Sequence, residues 1–344
     1  MSVRDALARV IDGADLEFDE MTAAMREIMT GEATPAQIGG LLAALRMKGE
    51  TVTELTAAAQ VMRELATRVQ LPPAQHEHLV DVVGTGGDGA NLFNVSTAAA
   101  FVVAAAGGLV AKHGNRSVSS RTGSADLLEA AGVALDLAPE AVARCVQEVG
   151  VGFMFAPRYH TAMRHAVGPR REMGVRTLFN LIGPLTNPAL APRQLTGVFD
   201  GRWLEDLAQV LKRLGSRRAL VVHSEDGLDE ISPSAPTNVA ELRDGEIETY
   251  RLEAGSLGLA RCDLDSLKID GARASLELIR SAFAGEPGPA RTMIALNAGA
   301  TLYVAGLAED ITAGVARAQA VLDSGEAQRR MDALATLSQQ LKES

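Results

Sequence analysis

Residues 84–89 read GTGGDG and follow a short apolar run at 79–83. Four glycines in six positions let the backbone enter left-handed conformations and turn its amides toward an anion, with no Cβ between loop and ligand. A tight strand-to-helix turn is the plainer reading, and it explains one glycine better than four. The stretch does not satisfy GxxxxGK[ST], and the next helix opens only after Asn94, which disfavours a nucleotide P-loop and a dinucleotide fingerprint. Asn94, Ser96 and Thr97 stand where an alanine-rich helix must begin. One of them can cap it, while the free amides and the other side chains can receive a phosphate. Lys112 ends a second strand-like run and supplies a point charge; Arg121, after Ser119 and Ser120, supplies a rigid fork for anionic oxygens.

Asp229 and Glu230 follow another strand-like run and a turn at Asp226 and Gly227. On a regular strand adjacent carboxylates point to opposite faces, but in a loop both can face one cation. Two carboxylates and a ligand phosphate suit hard, oxygen-ligated Mg²⁺; a solvated acidic loop is the alternative. Arg170, Arg171 and Arg176, near His160 and His165, form a basic cluster that is either a solvated helix face or a partner for a planar carboxylate.

The elements that must position these residues alternate in type. Thr34, Pro35 and Gln37 form a helix start, with Ile38, Leu41, Leu42 and Leu45 on one face, and Gly49 ends that helix. Thr51 and Glu54 repeat the signal, and the helical pattern stops near Gln70, before Pro72 and Pro73. From Leu79 the period changes to strand, helix, strand within about thirty-five residues, a βαβ unit. Further strands are expected at 151–155, 193–198 and 219–223, with a helix at 204–214 between the last two. Asp244 and Gly245 mark a hairpin, read as a small edge excursion, and 289–305 and 311–322 read as a closing pair of helices. The stretch 160–188 fits this rhythm poorly. The expectation is a large α/β domain with a central, mostly parallel sheet flanked by helices (73–161 and 191–344), plus a small all-helical domain (1–72, with a later contribution from about 162–190).

Composition narrows the function. With 344 residues, 47% apolar, the chain can build a large core without staples, and its two cysteines, Cys145 and Cys262, lie far apart without metal or redox spacing. No apolar run has signal-peptide or membrane-spanning length, so a cytoplasmic protein off the membrane is expected. A net charge of −10 without a basic tract argues against nucleic-acid binding. It also means that a polyphosphate site must rely on local amides, lysines, arginines or a divalent metal.

Together these stretches resemble the anthranilate phosphoribosyltransferases: GTGGDG at 84–89, NVST at 94–97, KHGNR at 112–116, SSRTGSADLLE at 119–129, RTLFNLIGPLTNP at 176–188 and LDE at 228–230. KHGNR and GTGGD in this order are shared with the wider superfamily that includes pyrimidine nucleoside phosphorylases; the FNLIGPLTNP stretch and the DE pair point to the transferase. The resemblance implies a homodimer that binds phosphoribosyl pyrophosphate and Mg²⁺ in the cleft between two domains and transfers the phosphoribosyl group to the anthranilate amine in tryptophan biosynthesis. It implies donor contacts from Gly84, Thr85, Gly86, Gly87, Asp88, Asn94, Ser96, Thr97, Lys112, Ser120 and Arg121. Gly84, Asn115 and Arg170 would meet anthranilate, Arg170 taking the carboxylate, and Ser96, Asp229 and Glu230 would hold Mg²⁺. An aromatic amine is neutral at pH 7 and needs no strong base, so no acid or base residue is assigned. Rivals are a nucleoside phosphorylase, which would not need the paired carboxylates, and a silent relative that binds nucleic acid, which the acidic charge disfavours.

Overall fold

The structure is a computed structural model that describes residues 1–117 and 121–342, so Ser119 and Ser120 lie outside the described residues. Helices α1 (Val3–Ile11), α2 (Phe18–Thr30), α3 (Pro35–Lys48) and α4 (Val52–Leu65) come first. Their start signals operate as read. Thr34 Oγ1 accepts the Gln37 amide while Gln37 Oε1 accepts the Thr34 amide at 2.8 Å, and Thr51 and Glu54 make the same exchange. Ile38, Leu41, Leu42 and Leu45 are buried, and Gly49 closes α3 at φ +93°.

The chain then runs β1 (Leu79–Gly84), α5 (Val95–Ala105), β2 (Leu109–Gly114), α6 (Ser124–Ala130), α7 (Pro139–Val149) and β3 (Val151–Phe155). Three short helices follow: α8 (Ala156–Tyr159), α9 (Arg164–Met173) and α10 (Leu178–Ile182). The sheet resumes with β4 (Arg193–Gly197), α11 (Leu204–Arg213), β5 (Arg218–Ser224), β6 (Thr237–Arg243) and β7 (Glu246–Leu252), and the chain finishes in α12 (Ala272–Phe283), α13 (Pro289–Val304), α14 (Ile311–Ser324) and α15 (Glu326–Lys342). The expected α/β class with a separate set of helices is what forms.

The seven strands lie in the order β3-β2-β1-β4-β5-β6-β7; the first five are parallel and the last two antiparallel. The chain therefore builds outward from β1 in one direction, then returns to lay β4 on the other side of β1. Such a reversal opens a crevice at the carboxyl ends of the two strands, because their following connections leave toward opposite sides.

Two apolar cores result. On β5, Leu220 and Val222 belong to the core of the α/β layer, whereas Ala219 and Val221 face the other way and join Leu207, Val210 and Leu211 of α11 and the apolar faces of α1 to α4. Helices α9 and α10 pack on α2, α3 and α4.

Two sequence expectations need correction. The hairpin is no edge excursion: β6 pairs with β5 from Arg218↔Arg243 to Ser224↔Thr237 and extends the main sheet, with Val239, Ala240 and Leu242 buried. Its partner β7 is the charged, half-solvated edge. Helices α13 and α14 form at the expected positions and pack on each other; Met293 to Val304 are buried throughout, and α13 also packs against α5. Gly299 and Gly314 let α13 and α14 touch backbone to backbone; a Cβ on Gly314 would lie 2.2 Å from the Gly299 carbonyl oxygen. The pattern also missed α12 and α15.

The stretch 160–188 is anchored by Asn187. Its buried Nδ2 donates to Asp81 Oδ2 (2.7 Å) and the Ala111 carbonyl (2.8 Å), and its Oδ1 accepts the Ala189 amide (2.9 Å). Asp81 is wholly buried; burial pushes its carboxyl up to about 6, against the opposing pull of Lys112 and of these hydrogen bonds. Asn187→Ala strands three buried polar groups and is expected to cost about 2–4 kcal/mol. A fall in the urea midpoint at unchanged m-value checks this; an unchanged midpoint would show the anchor to be idle.

Candidate active site at the carboxyl edge of the sheet

Gly84 ends β1 and Gly197 ends β4, side by side at the strand reversal. Both must be glycine because the loop after β5 packs directly against them. A Cβ on Gly84 would lie 2.4 Å from Asp229 Oδ2, and one on Gly197 only 1.5 Å from the Asp229 carbonyl oxygen. The loop after Gly84 then turns through Gly86, Gly87 and Gly89 at φ +65°, +80° and +76°, conformations that side chains with a Cβ rarely adopt. The Gly86 amide donates to Asp229 Oδ2 at 2.6 Å, so the glycine loop and the acidic loop are joined directly. Thr85 ties the loop to β4: its amide donates to the Gly197 carbonyl (2.9 Å), and its Oγ1 accepts the Phe199 amide (3.0 Å).

The acidic loop is held rigidly from beneath. Asn297 on α13 accepts the Ile231 amide (2.9 Å) and returns a hydrogen bond to the Ile231 carbonyl (3.0 Å). The Ser224 hydroxyl donates to the Glu230 carbonyl at 2.6 Å. Glu230 Oε1 then accepts the Ser96 amide at the head of α5 (3.2 Å), and the Ser96 hydroxyl receives Lys112 Nζ (3.2 Å). Lys112 is buried to 2% exposure and also donates to the Val82 carbonyl, so it is not the solvated strand-end lysine that is its ordinary fate. Gly86, Ser96, Lys112, Asp229 and Glu230 thus form one hydrogen-bonded chain across β1, β2 and the loop after β5.

Its electrostatics are unbalanced. Burial pushes the Asp229 carboxyl far above the usual carboxylate range, and the nearby Asp88 carboxylate adds to the rise. Glu230 is raised by burial and then by Asp229, while Lys112 pulls the other way. Lys112 is lowered by burial, opposed by Asp81, Glu230 and Asp229. Asp88, Asp229 and Glu230 share this corner with one buried ammonium that Asp81 also attracts, so a cation placed there would be stabilised. Among the described residues no three His, Cys, Asp or Glu side chains form a ready metal cage. A bound cation would take Asp229 and Glu230 and fill its remaining positions with ligand oxygens and water, which is the habit of Mg²⁺.

The remaining expected residues fall as follows. Asn94 holds the N-cap position of α5 but makes no side-chain cap, so the capping explanation does not apply to it. Thr97 Oγ1 is buried without a hydrogen-bond partner. Asp88 Oδ1 accepts the Ala90 amide within the glycine loop (3.0 Å). Asn115 is exposed after β2 and its Oδ1 accepts the Arg116 amide (2.7 Å); Arg116 is committed to Asp126 and Glu129. Arg121 is exposed and lines a groove of about 670 Å³ beside Gly89, Asn91 and Lys268. Arg170 on α9 lies with its guanidinium 5.1 Å from the centre of the Phe179 ring and has no carboxylate partner among the described residues; burial pushes it down. Arg171 beside it is exposed. Arg176, seen in sequence only as one of a basic cluster, donates to the Gly87 carbonyl and stacks 4.2 Å from the Phe199 ring, so it ties α10's entry to the glycine loop. Gly197 and Asn297 also act on this site, yet neither shows a local pattern that sets it apart from an ordinary turn or helix residue.

The chain matches a model of the glycosyl transferase family, helical bundle domain, at residues 4–66, and one of the glycosyl transferase family, a/b domain, at residues 76–328. It is 60% identical over 338 residues to the anthranilate phosphoribosyltransferase of Thioalkalivibrio sulfidiphilus, with 98% of this chain and 99% of that one covered. The crystal structure of anthranilate phosphoribosyltransferase from Thermus thermophilus has a TM-score of 0.91 at 46% identity, covering 97% of this chain and 99% of that one. The Saccharomyces cerevisiae enzyme, solved in complex with PRPP and Mg, has the same fold at a TM-score of 0.89 and 23% identity, with 98% of each chain covered. Full-length likeness at this identity, on a site with the family's glycine loop and paired carboxylates, makes this chain a member of the anthranilate phosphoribosyltransferase family of enzymes.

Proposed function

We propose that this enzyme transfers the 5-phosphoribosyl group from phosphoribosyl pyrophosphate to the anthranilate amine with Mg²⁺, releasing pyrophosphate, in the second step of tryptophan biosynthesis from chorismate. One observation carries the reading: the glycine loop, the head of α5, Lys112 and the Asp229–Glu230 pair meet at the strand reversal as a single hydrogen-bonded constellation. The yeast relative, solved with PRPP and Mg, supports it.

The division of labour follows from charge. The loop amides around Gly86 and the head of α5, with Ser96, Thr97 and Lys112, bind the donor's anionic groups. Asp229 and Glu230 hold Mg²⁺, which when bound neutralises charge on departing pyrophosphate. Arg170 takes the carboxylate of anthranilate, and the family's contacts from Gly84 and Asn115 orient its amine toward the anomeric carbon. The amine is neutral and attacks from the face opposite the leaving group, so inversion is expected and no side chain need act as base. Losing one strong electrostatic contact of this kind costs about 3 kcal/mol, or roughly a hundredfold in rate. Residues 1–72 with 162–190 form the helical side of the cleft in this reading, since α9 and α10 pack on α2 to α4, and the enzyme works as a homodimer, which sedimentation velocity tests.

The direct test mixes the purified enzyme with phosphoribosyl pyrophosphate, Mg²⁺ and anthranilate and follows pyrophosphate release. Turnover of thymidine with phosphate, and none with anthranilate, would overturn the proposal. A finer check concerns Arg170. Its half-buried guanidinium, stacked on Phe179 and free of acidic partners among the described residues, is preset for a bidentate carboxylate. Arg170→Ala is expected to raise the KM for anthranilate by about tenfold or more while the donor KM moves by less than about twofold. Equal effects on both substrates, or an effect confined to Arg171→Ala, would show the carboxylate to be held elsewhere.

A further inference from the structure

Ser275 lies on α12, wholly buried, and faces Asn94. Its Oγ accepts the Asn94 backbone amide at 3.0 Å and lies 2.8 Å from Asn94 Oδ1. The backbone amide uses one lone pair of the hydroxyl oxygen, and the hydroxyl hydrogen is given to Oδ1. In this arrangement Oδ1 faces Ser275, and the Thr122 hydroxyl also donates to it at 3.4 Å. Asn94 Nδ2 is turned toward the Thr122 carbonyl (3.4 Å), the one acceptor among the described residues for its two hydrogens.

Asparagine is among the best N-cap residues, and Asn94 occupies the N-cap position of α5 without capping it. The pair of contacts to Ser275 accounts for that, since Oδ1 is drawn away from the first-turn amides. The Ser96 amide is already taken by Glu230, which leaves the Thr97 amide without a side-chain cap next to the buried, unpartnered Thr97 Oγ1. The chain before α12 is laced to the same loop: the Phe93 amide donates to the Leu267 carbonyl (3.2 Å), and the Ile269 amide to the Asn91 carbonyl (3.0 Å).

We infer that Ser275 is a positioning residue for donor binding: its hydroxyl holds Asn94 Oδ1 out of the capping role and so keeps the Thr97 amide at the head of α5 open to the donor phosphate. The inference rests on the reading of Asn94 and Thr97 as donor contacts. Without the hydroxyl, Asn94 is free to rotate and cap α5, occupying the Thr97 amide that the phosphate needs.

The test is a double-mutant cycle read by calorimetric titration with phosphoribosyl pyrophosphate and, separately, with anthranilate, on variants whose melting transitions are first recorded. Ser275→Ala is expected to weaken the donor by about tenfold, leave anthranilate affinity unchanged, and add nothing further in an Asn94→Ala background. Ser275→Cys, close in shape but with a weak donor, is expected to show the same loss and covers the case in which the alanine variant does not fold. Wild-type donor affinity in both Ser275 variants, or a loss that persists in full without Asn94, overturns the inference. If Asn94→Ala alone leaves donor affinity unchanged, the assignment of the donor site falls as well, and the two failures are told apart.

Discussion

The double replacement Asp229→Asn with Glu230→Gln is expected to remove Mg²⁺-dependent turnover, with a loss of at least about 10³-fold, while the protein stays folded. Each side chain keeps an oxygen for the hydrogen bond it now makes, from the Gly86 amide (2.6 Å) and from the Ser96 amide (3.2 Å), so the loops retain their ties. What disappears is the pair of negative charges that a cation needs. The same change is expected to stabilise the enzyme measured without added metal. Burial and Asp88 raise the Asp229 carboxyl from its ordinary 3.8 to about 7, so between those values the folded state holds a proton that the unfolded state has released. Stability from this group is therefore lost as pH rises through that window, and the penalty is fully present above about 7. A neutral amide carries no such penalty. Calorimetry should show the variant melting a few degrees above the parent at pH 8, with the gap shrinking toward pH 4; wild-type turnover would remove the metal assignment, and a lower melting temperature at pH 8 would remove the electrostatic account.

Gly197→Ala is expected to be nearly as damaging for a different reason. The added Cβ would sit 1.5 Å from the Asp229 carbonyl oxygen, and the loop cannot retreat easily because Asn297 holds Ile231 from both sides and the Ser224 hydroxyl holds the Glu230 carbonyl. The strain must either move Asp229 and Glu230 off the glycine loop or separate β4 from its neighbours. Overpacking against backbone costs about 3 kcal/mol, so a melting temperature several degrees lower and turnover below about 1% of the parent are expected. A control at Gly245, in the β6–β7 turn with open space around its Cβ position, should lose only the small cost of its left-handed backbone and keep full turnover. Equal activity in the two variants would show that the close approach at Gly197 is not needed.

The chemistry-bearing loops were legible because they are local. A glycine cluster, an asparagine and hydroxyls before an alanine-rich helix, and two adjacent carboxylates each sit within a few residues of a strand end, and strand ends are where a parallel sheet keeps its ligands. The helix starts at Thr34 and Thr51 were legible for the same reason, since cap and partner are three residues apart. The hairpin at Asp244 was found but undervalued: nothing within 239–250 says that β6 will pair with β5 along seven residues. Helix α13 was found, but its depth was not legible, because a helix buried on all sides has no polar face to give it away.

From the residue order alone came the α/β class, the separate N-terminal helices and the positions of the glycine and acidic loops, since each is written in short-range periodicity or in a motif a few residues long. Tertiary structure alone decided that Gly197 must make room for Asp229, that Asn187 ties the stretch 160–188 to Asp81, and that Ser275 turns the Asn94 amide. The partners in these contacts lie between 32 and 181 residues apart by their numbers in the chain. Contacts of that span are selected only when packed layers bring distant backbone together, and a glycine, an asparagine or a serine looks the same in sequence whether or not such a partner arrives.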